Sequence, residues 1–275
     1  MSILELIRKG LRNPEYILPY LRRELPIPPD WYVTLSHWEG GWKRYLAATG
    51  LCREPFKMAL RNQSPPYYMC WRDRDVLTEF YREDGYEDLQ LSAYDTVVDI
   101  GAHIGVFTIY ASRNGATVYA FEPSPDSYTS LLCNLALYDV TEEVVAHNTA
   151  VSSLDGYVDI SLHGEESLAD STARDTGGET RTVPSKTLAS IMDSVNTDGN
   201  CLIKMDCEGA EFKILQECSE GIFDGVDTVF IEYHRAVDDP VVLVDTLSEF
   251  GYSVTERPDP RDNVADELGF LLAER

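Results

Sequence analysis

From Asp95 onward, short apolar runs alternate with longer stretches of helical period. The runs are residues 96–100 (TVVDI), 117–121 (TVYAF), 144–151 (VVAHNTAV), 201–205 (CLIKM), 228–232 (TVFIE), 252–255 (YSVT) and 269–273 (GFLLA). Helical stretches at 104–113, 124–138, 186–194, 208–218 and 241–250 separate the first six. Short apolar strands alternating with helices predict a parallel sheet covered on both faces, an α/β doubly wound fold of seven strands. The last two runs are joined by a polar, Pro/Asp-rich segment without helical period, so the final strand is expected to return antiparallel. Residues 155–183, rich in Ser, Thr, Gly and acids, predict an inserted hairpin or loop.

The chain before this region reads differently. All four tryptophans (Trp31, Trp38, Trp42, Trp71) and a dense set of prolines between Pro14 and Pro66 lie there. The opening 25 residues suggest short amphipathic helices broken at Pro14 and Pro19. FKMALR and YYMCWR, either side of NQSPP, predict a hairpin, and DVLTEFYRED predicts a helix leading into the main region. The expected division is an appendage at 1–75 and a main domain at 76–275.

Charge changes the picture. Residues 1–90 carry 13 basic and 13 acidic side chains, whereas 91–275 carry 10 basic and 34 acidic ones, which accounts for the whole net charge of −24. The acids are dispersed among apolar elements, so they form no acidic tail. Adaptation to high internal salt, as in a halophilic cell, is the expected reason; at about 1 M salt the Debye length falls to roughly 3 Å and self-repulsion is screened. A surface for a basic partner is the alternative. Such a surface repels nucleic acid. The six cysteines show no CxxC or Cys/His spacing, so buried thiols are expected rather than a zinc site. No apolar run of membrane-spanning length and no signal-peptide pattern is read, which gives a cytoplasmic expectation. The first 25 residues hold five basic and three acidic side chains, so peripheral contact with a membrane surface, where a lipid-linked glycan would be met, is the further option.

The chemistry begins at DTVVDIGAHIGVFTIYA, residues 95–111. A strand ends in Asp99, Gly101 and Gly105 follow, and a helix begins. In open parallel sheets ligands bind beyond the carboxyl ends of the strands, and the first such turn is the prime location. Glu122 closes the next strand 21 residues after Gly101, where an acid grips ribose hydroxyls. The dinucleotide pattern G-x-G-x-x-G is incomplete, because His103 and Val106 stand in place of its second and third glycines. A nucleoside without pyrophosphate does not need that middle glycine. S-adenosylmethionine therefore fits better than NAD; an NAD(P)-dependent oxidoreductase and a non-catalytic adenosyl-binding module are the alternatives.

DTVVDIGAHIGVFTIYA, YAFEPSP, LIKMDCEGAE and VFIEYH, in this order, resemble the FkbM family of S-adenosylmethionine-dependent methyltransferases over roughly residues 70–235. The resemblance implies a Rossmann-like class I methyltransferase sheet. It also implies that Asp99, Gly101, Ala102, His103, Gly105 and Glu122 contact the cofactor. Two departures are visible: the family usually has Asn where His103 stands, and Asp where Ala189 stands.

LIKMDCEGAE places Lys204, Asp206 and Glu208 at alternate positions as a strand ends. Glu232 and His234 close the next strand. Asp206, Glu208, His234 and Lys204 are the candidate catalytic residues. A sugar hydroxyl needs a base, for which Asp206, Glu208 or His234 would serve; a carboxylate acceptor needs none. Glu208 and Glu211 also read as helix N-terminal charges, and Lys204 as a buried salt bridge. No spacing compels a metal, although Asp206, Glu208, Glu211 and Glu232 are oxygen ligands of the kind Mg²⁺ takes. The expectation is an O-methyltransferase acting on a small-molecule or glycan acceptor. The aromatic cluster Trp31, Tyr32, Trp38, Trp42 and Tyr45 reads either as sugar-stacking surface or as packing.

Overall fold

The computed structural model describes residues 56–58, 67–69, 76, 86, 89–162, 179–258 and 268–275. The chain divides into two compact units, Met1–Trp71 and Arg72–Arg275. In the first, β1 (Phe56–Met58) pairs antiparallel with β2 (Tyr67–Met69), as the sequence predicted. The expected helices at the start of the chain, the aromatic cluster at 31–45 and nearly all of DVLTEFYRED lie outside the described residues.

The second unit is built on one seven-stranded sheet. Its strands are β3 (Thr96–Ile100), β4 (Thr117–Phe121), β5 (Val144–His147), β9 (Cys201–Met205), β10 (Thr228–His234), β11 (Ser253–Pro258) and β12 (Leu268–Glu274). They run in the order β11-β12-β10-β9-β3-β4-β5. β3 and β9 are central and every residue in both is buried, which is why they read as continuous apolar runs rather than alternating ones. All pairings from β5 across to β10 are parallel. β12 inserts antiparallel between β10 and β11, the return predicted from the helix-free link before it.

After β3 the chain winds outward through β4 and β5, then crosses back to β9 and winds the other way. The order thus reverses between β3 and β9, and in open sheets of this kind the ligand crevice lies beyond the carboxyl ends of the two strands at the reversal. The helices are α1 (Val106–Arg113), α2 (Pro125–Tyr138), α3 (Leu188–Met192), α4 (Ala210–Gln216) and α5 (Val241–Glu249). α2 starts with Pro125 at its first turn and ends on Asp139 in the left-handed region, the expected start and stop chemistry. α3 is capped by the Thr187 hydroxyl, which accepts from Ser190 N–H.

One expected strand is broken. The run 144–151 divides into β5 and β6 (Ala150–Val151), and β6 joins a separate three-stranded sheet. The break falls at Asn148, whose side-chain amide donates to the carbonyls of Glu122 (2.8 Å) and Pro123 (3.0 Å). β7 (Gly156–Leu162) and β8 (Glu179–Lys186) are the two antiparallel arms of the predicted insertion. Among the described residues no helix is long and apolar enough to cross a membrane.

Candidate active site

The turn from β3 into α1 is fixed from three sides. The N–H groups of Gly101 and Ala102 both donate to the Phe121 carbonyl at the end of β4, each at 3.0 Å. The Gly101 carbonyl accepts from Lys204 Nζ at 3.1 Å, on the other flanking strand. The N–H of His103 donates to Glu122 Oε2 at 2.8 Å. His103 sits at φ 51°, in the left-handed region that Asn, Asp and His enter more readily than other side chains. That conformation turns its N–H toward β4.

Both glycines are required, for reasons internal to the protein. A Cβ on Gly101 (φ +81°) would lie 1.7 Å from the Asp206 carbonyl oxygen. On Gly105 (φ +87°) it would lie 2.4 Å from Leu131 Cδ1 of α2. Gly101 lets the turn pass against the end of β9, and Gly105 lets α1 start against α2. Gly105 thus has a packing role in the turn whatever its backbone meets at the carboxyl end of β3.

Glu122 is buried, and its two oxygens accept N–H bonds from different segments: Oε2 from His103, and Oε1 from Ser124 at 2.7 Å. Two backbone donors fix the plane of this carboxylate at the mouth of the crevice. The His147 ring stacks on Phe121 at 4.9 Å just before it, and burial pushes that imidazole below its usual pKa.

Asp99 and Lys204 are register partners on adjacent parallel strands, so their side chains meet on one face. Asp99 is fully buried; its Oδ2 accepts from the Thr108 hydroxyl at 2.5 Å and its Oδ1 lies 3.4 Å from Lys204 Nζ. It supports Lys204 and, through Thr108, the helix α1. Lys204 also reaches Asp206 Oδ2 at 3.4 Å and lies over the Phe107 ring at 5.8 Å. Burial alone would depress this ammonium, but the Asp206 and Asp99 carboxylates outweigh it and hold the pKa above the usual lysine value. A charged, triply engaged Lys204 positions the turn and Asp206; it carries no lone pair for catalysis.

His234 ends β10 between two carboxylates. Its Nε2 lies 3.1 Å from Glu208 Oε2 and its Nδ1 lies 3.3 Å from Glu211 Oε1. Burial works against its charge, yet the hydrogen bonds and charges of Glu208 and Glu211 raise its pKa to about 11. Both ring nitrogens face carboxylates, which holds the ring in place and favours its charged form. One ligand atom from each of Asp206, Glu232 and His234 lies within 4.8 Å of the others, a spacing that a cation could share. Asp206 and Glu208 remain partly open, at 23% and 18% side-chain exposure.

One contributor was not singled out in the sequence, and a second has contacts the sequence did not show. Tyr86 packs its ring 5.3 Å from Phe107 and 5.4 Å from Phe230. Burial pushes its phenol up, Lys204 pulls it back, and Asp206, Glu232 and Asp99 push it up further, so it stays protonated among these charges. Glu211, read from sequence as a helix N-terminal charge, is fully buried and engaged by Gly209, Cys207 and both the main chain and the ring of His234. Only contact across the fold reveals either role.

A seven-stranded sheet with one antiparallel strand, a glycine turn at its switch point and an acid closing the neighbouring strand together define a Rossmann-like methyltransferase. Residues 99–254 match the family model described as the methyltransferase FkbM domain, and the chain belongs to that family of enzymes. The methyltransferase sdnD of Sordaria araneosa is 26% identical over 232 residues, covering 73% of this chain and 89% of the relative. The hexuronic acid methyltransferase AglP of Haloferax volcanii is 28% identical over 184 residues, covering 65% and 72%. A solved FkbM methyltransferase from Methylobacillus flagellatus aligns with a TM-score of 0.47 at 17% identity, over 74% of this chain and 52% of that one. Family and fold imply a cofactor of the S-adenosylmethionine type and set aside the oxidoreductase and non-catalytic alternatives.

Proposed function

We propose that the protein transfers a methyl group from S-adenosylmethionine to an oxygen of a saccharide, in first place a hydroxyl and in second a sugar carboxylate, within a cell-surface or lipid-linked glycan. The observation that carries the cofactor assignment is Glu122, held by His103 N–H and Ser124 N–H beside the glycine turn. An acid closing the second strand of such a sheet is placed to accept ribose hydroxyls. When bound, S-adenosylmethionine supplies an electrophilic methyl carbon on a sulfonium that departs as a neutral thioether.

The chain's own part is placement and proton removal. Holding the acceptor in line and near contact can supply ~7–11 kcal/mol in favourable cases. As the acceptor oxygen bonds to carbon and the carbon–sulfur pair leaves with sulfur, the hydroxyl proton passes to Asp206 or Glu208, the two partly exposed carboxylates at the ends of β9 and its following turn. Lys204 orients Asp206 and steadies the Gly101 carbonyl. The presence of these carboxylates favours a hydroxyl acceptor, because only a hydroxyl needs a base. The relative named as a hexuronic acid methyltransferase supports a saccharide. The basic excess of residues 1–25 supports an approach to a membrane-borne carrier; a chain lacking them should then leave the membrane fraction.

Incubating the protein with methyl-labelled S-adenosylmethionine and a cell-envelope glycan extract tests this. Label in a saccharide heavier by one CH₂ is expected. Label confined to protein, lipid or RNA would contradict the acceptor assignment.

A further inference from the structure

Glu211 is a fully buried acid. Oε2 accepts from Gly209 N–H at 2.8 Å and from the Cys207 thiol at 3.5 Å; Oε1 accepts from the N–H of His234 at 3.2 Å and faces its Nδ1 at 3.3 Å. Fully buried and engaged on both oxygens, Glu211 is shielded from direct contact with substrate. Capping α4 needs only the bond to Gly209. The other oxygen reaches across to β10 and fixes both the main chain and the ring of His234.

With Nδ1 held, Nε2 has one direction, and Glu208 Oε2 lies along it at 3.1 Å. Glu208 stands at φ 55°, a left-handed conformation that a non-glycine residue keeps only where its surroundings impose it. Its side chain remains 18% exposed. A line of charge therefore runs from a sealed acid, through a buried imidazolium, to a partly open carboxylate at the crevice. Folding alone does not call for this arrangement, since a glycine at 208 would adopt the same backbone without a partner.

We propose that Glu208 is the carboxylate that touches the acceptor, and that Glu211 and His234 are positioning residues acting through it. This rests on the methyltransferase reading above and narrows its choice between Asp206 and Glu208. Glu211 fixes the imidazolium, the imidazolium fixes the Glu208 carboxylate, and the acceptor oxygen is held in line by a group that cannot swing away.

The test is a double-mutant cycle on the full chain with Glu208→Gln, Glu211→Gln and both together. Initial rates of label transfer to the glycan extract are measured, and calorimetry gives the affinity for S-adenosylhomocysteine. Each single variant should lose between about tenfold and a hundredfold in rate, since misplacement of about 1 Å costs that much. Affinity for S-adenosylhomocysteine should stay within about twofold, and the double variant should be no slower than Glu208→Gln alone, because residues acting as a unit are not additive. Should Glu211→Gln not fold, His234→Asn takes its place in the cycle with the same expectation. Multiplying losses, an unchanged rate in any single variant, or loss of S-adenosylhomocysteine binding in step with rate would overturn the proposal. A wild-type protein that binds S-adenosylhomocysteine yet labels no acceptor would instead overturn the methyltransferase reading, and the positioning roles with it.

Discussion

The N–H of His103 donates to Glu122 Oε2 at 2.8 Å, and this one bond joins the glycine turn after β3 to the acid closing β4. It sets the carboxylate before any ligand arrives. Glu122→Gln keeps the shape but loses the charge, and its amide must turn a donor toward one of the two backbone N–H groups. Hydrogen bonds to charged groups contribute about 1.5–3 kcal/mol, so affinity for S-adenosylhomocysteine should fall by roughly tenfold to a hundredfold in calorimetry. An affinity equal to wild type would remove Glu122 from the site.

The two turn glycines should differ in what they tolerate. At Gly101 an added methyl meets the Asp206 main-chain carbonyl between two central strands, so Gly101→Ala should yield no folded protein. At Gly105 it meets only the end of the Leu131 side chain. Gly105→Ala should lose about 2–4 kcal/mol, from left-handed backbone and overpacking together. Pairing it with Leu131→Ala should return the overpacking part in Gly105→Ala/Leu131→Ala relative to Leu131→Ala alone. Urea unfolding measures both, and equal stability of the two glycine variants would contradict the assignment.

His234 gives stability a pH dependence of definite sign. Its pKa is raised in the folded protein to about 11 by Glu208 and Glu211 against the cost of burial. The unfolded value is about 6.5. The folded state therefore holds the proton more tightly, and this contribution is complete below about pH 6.5 and declines as pH rises toward 11. Unfolding free energy should fall across that window, and His234→Gln should flatten the fall. A slope identical in the variant would place the titration elsewhere.

The surplus of 34 acidic over 10 basic side chains in residues 91–275 should make stability depend on salt. Thermal unfolding in KCl from about 0.05 M to 2 M should show a Tm that climbs as the Debye length shortens. A Tm independent of salt would remove the proposal of salt adaptation.

The strands were legible because β3 and β9 are buried on both faces and so read as unbroken apolar runs. The return of β12 was legible from the lack of helical period before it. The break after β5 was not, because Asn148 leaves the strand to bond the carbonyls of Glu122 and Pro123 across the sheet. In the site, Glu122 and the glycine turn stood out by spacing within one β-turn-α-β unit. Residue identity alone could not show the partners of His234, because Glu208 and Glu211 lie more than 20 residues earlier in the chain. The salt-bridge reading of Lys204 was legible from its place in an apolar strand, whereas the contacts by which Asp99 and Gly105 brace the turn come from register and packing. Tyr86 carries no local signal, since its charged neighbours come from β3, β9 and β10.

Cofactor binding is expected between the Gly101–Gly105 turn and Glu122. A crystal structure of the full chain with S-adenosylhomocysteine tests it most directly. The ribose hydroxyls should lie within hydrogen-bond reach of Glu122, with the amino-acid tail against the turn and the sulfur facing Asp206 and Glu208. A nucleoside bound elsewhere, or a Glu122 carboxylate making no contact with the ribose, would contradict it.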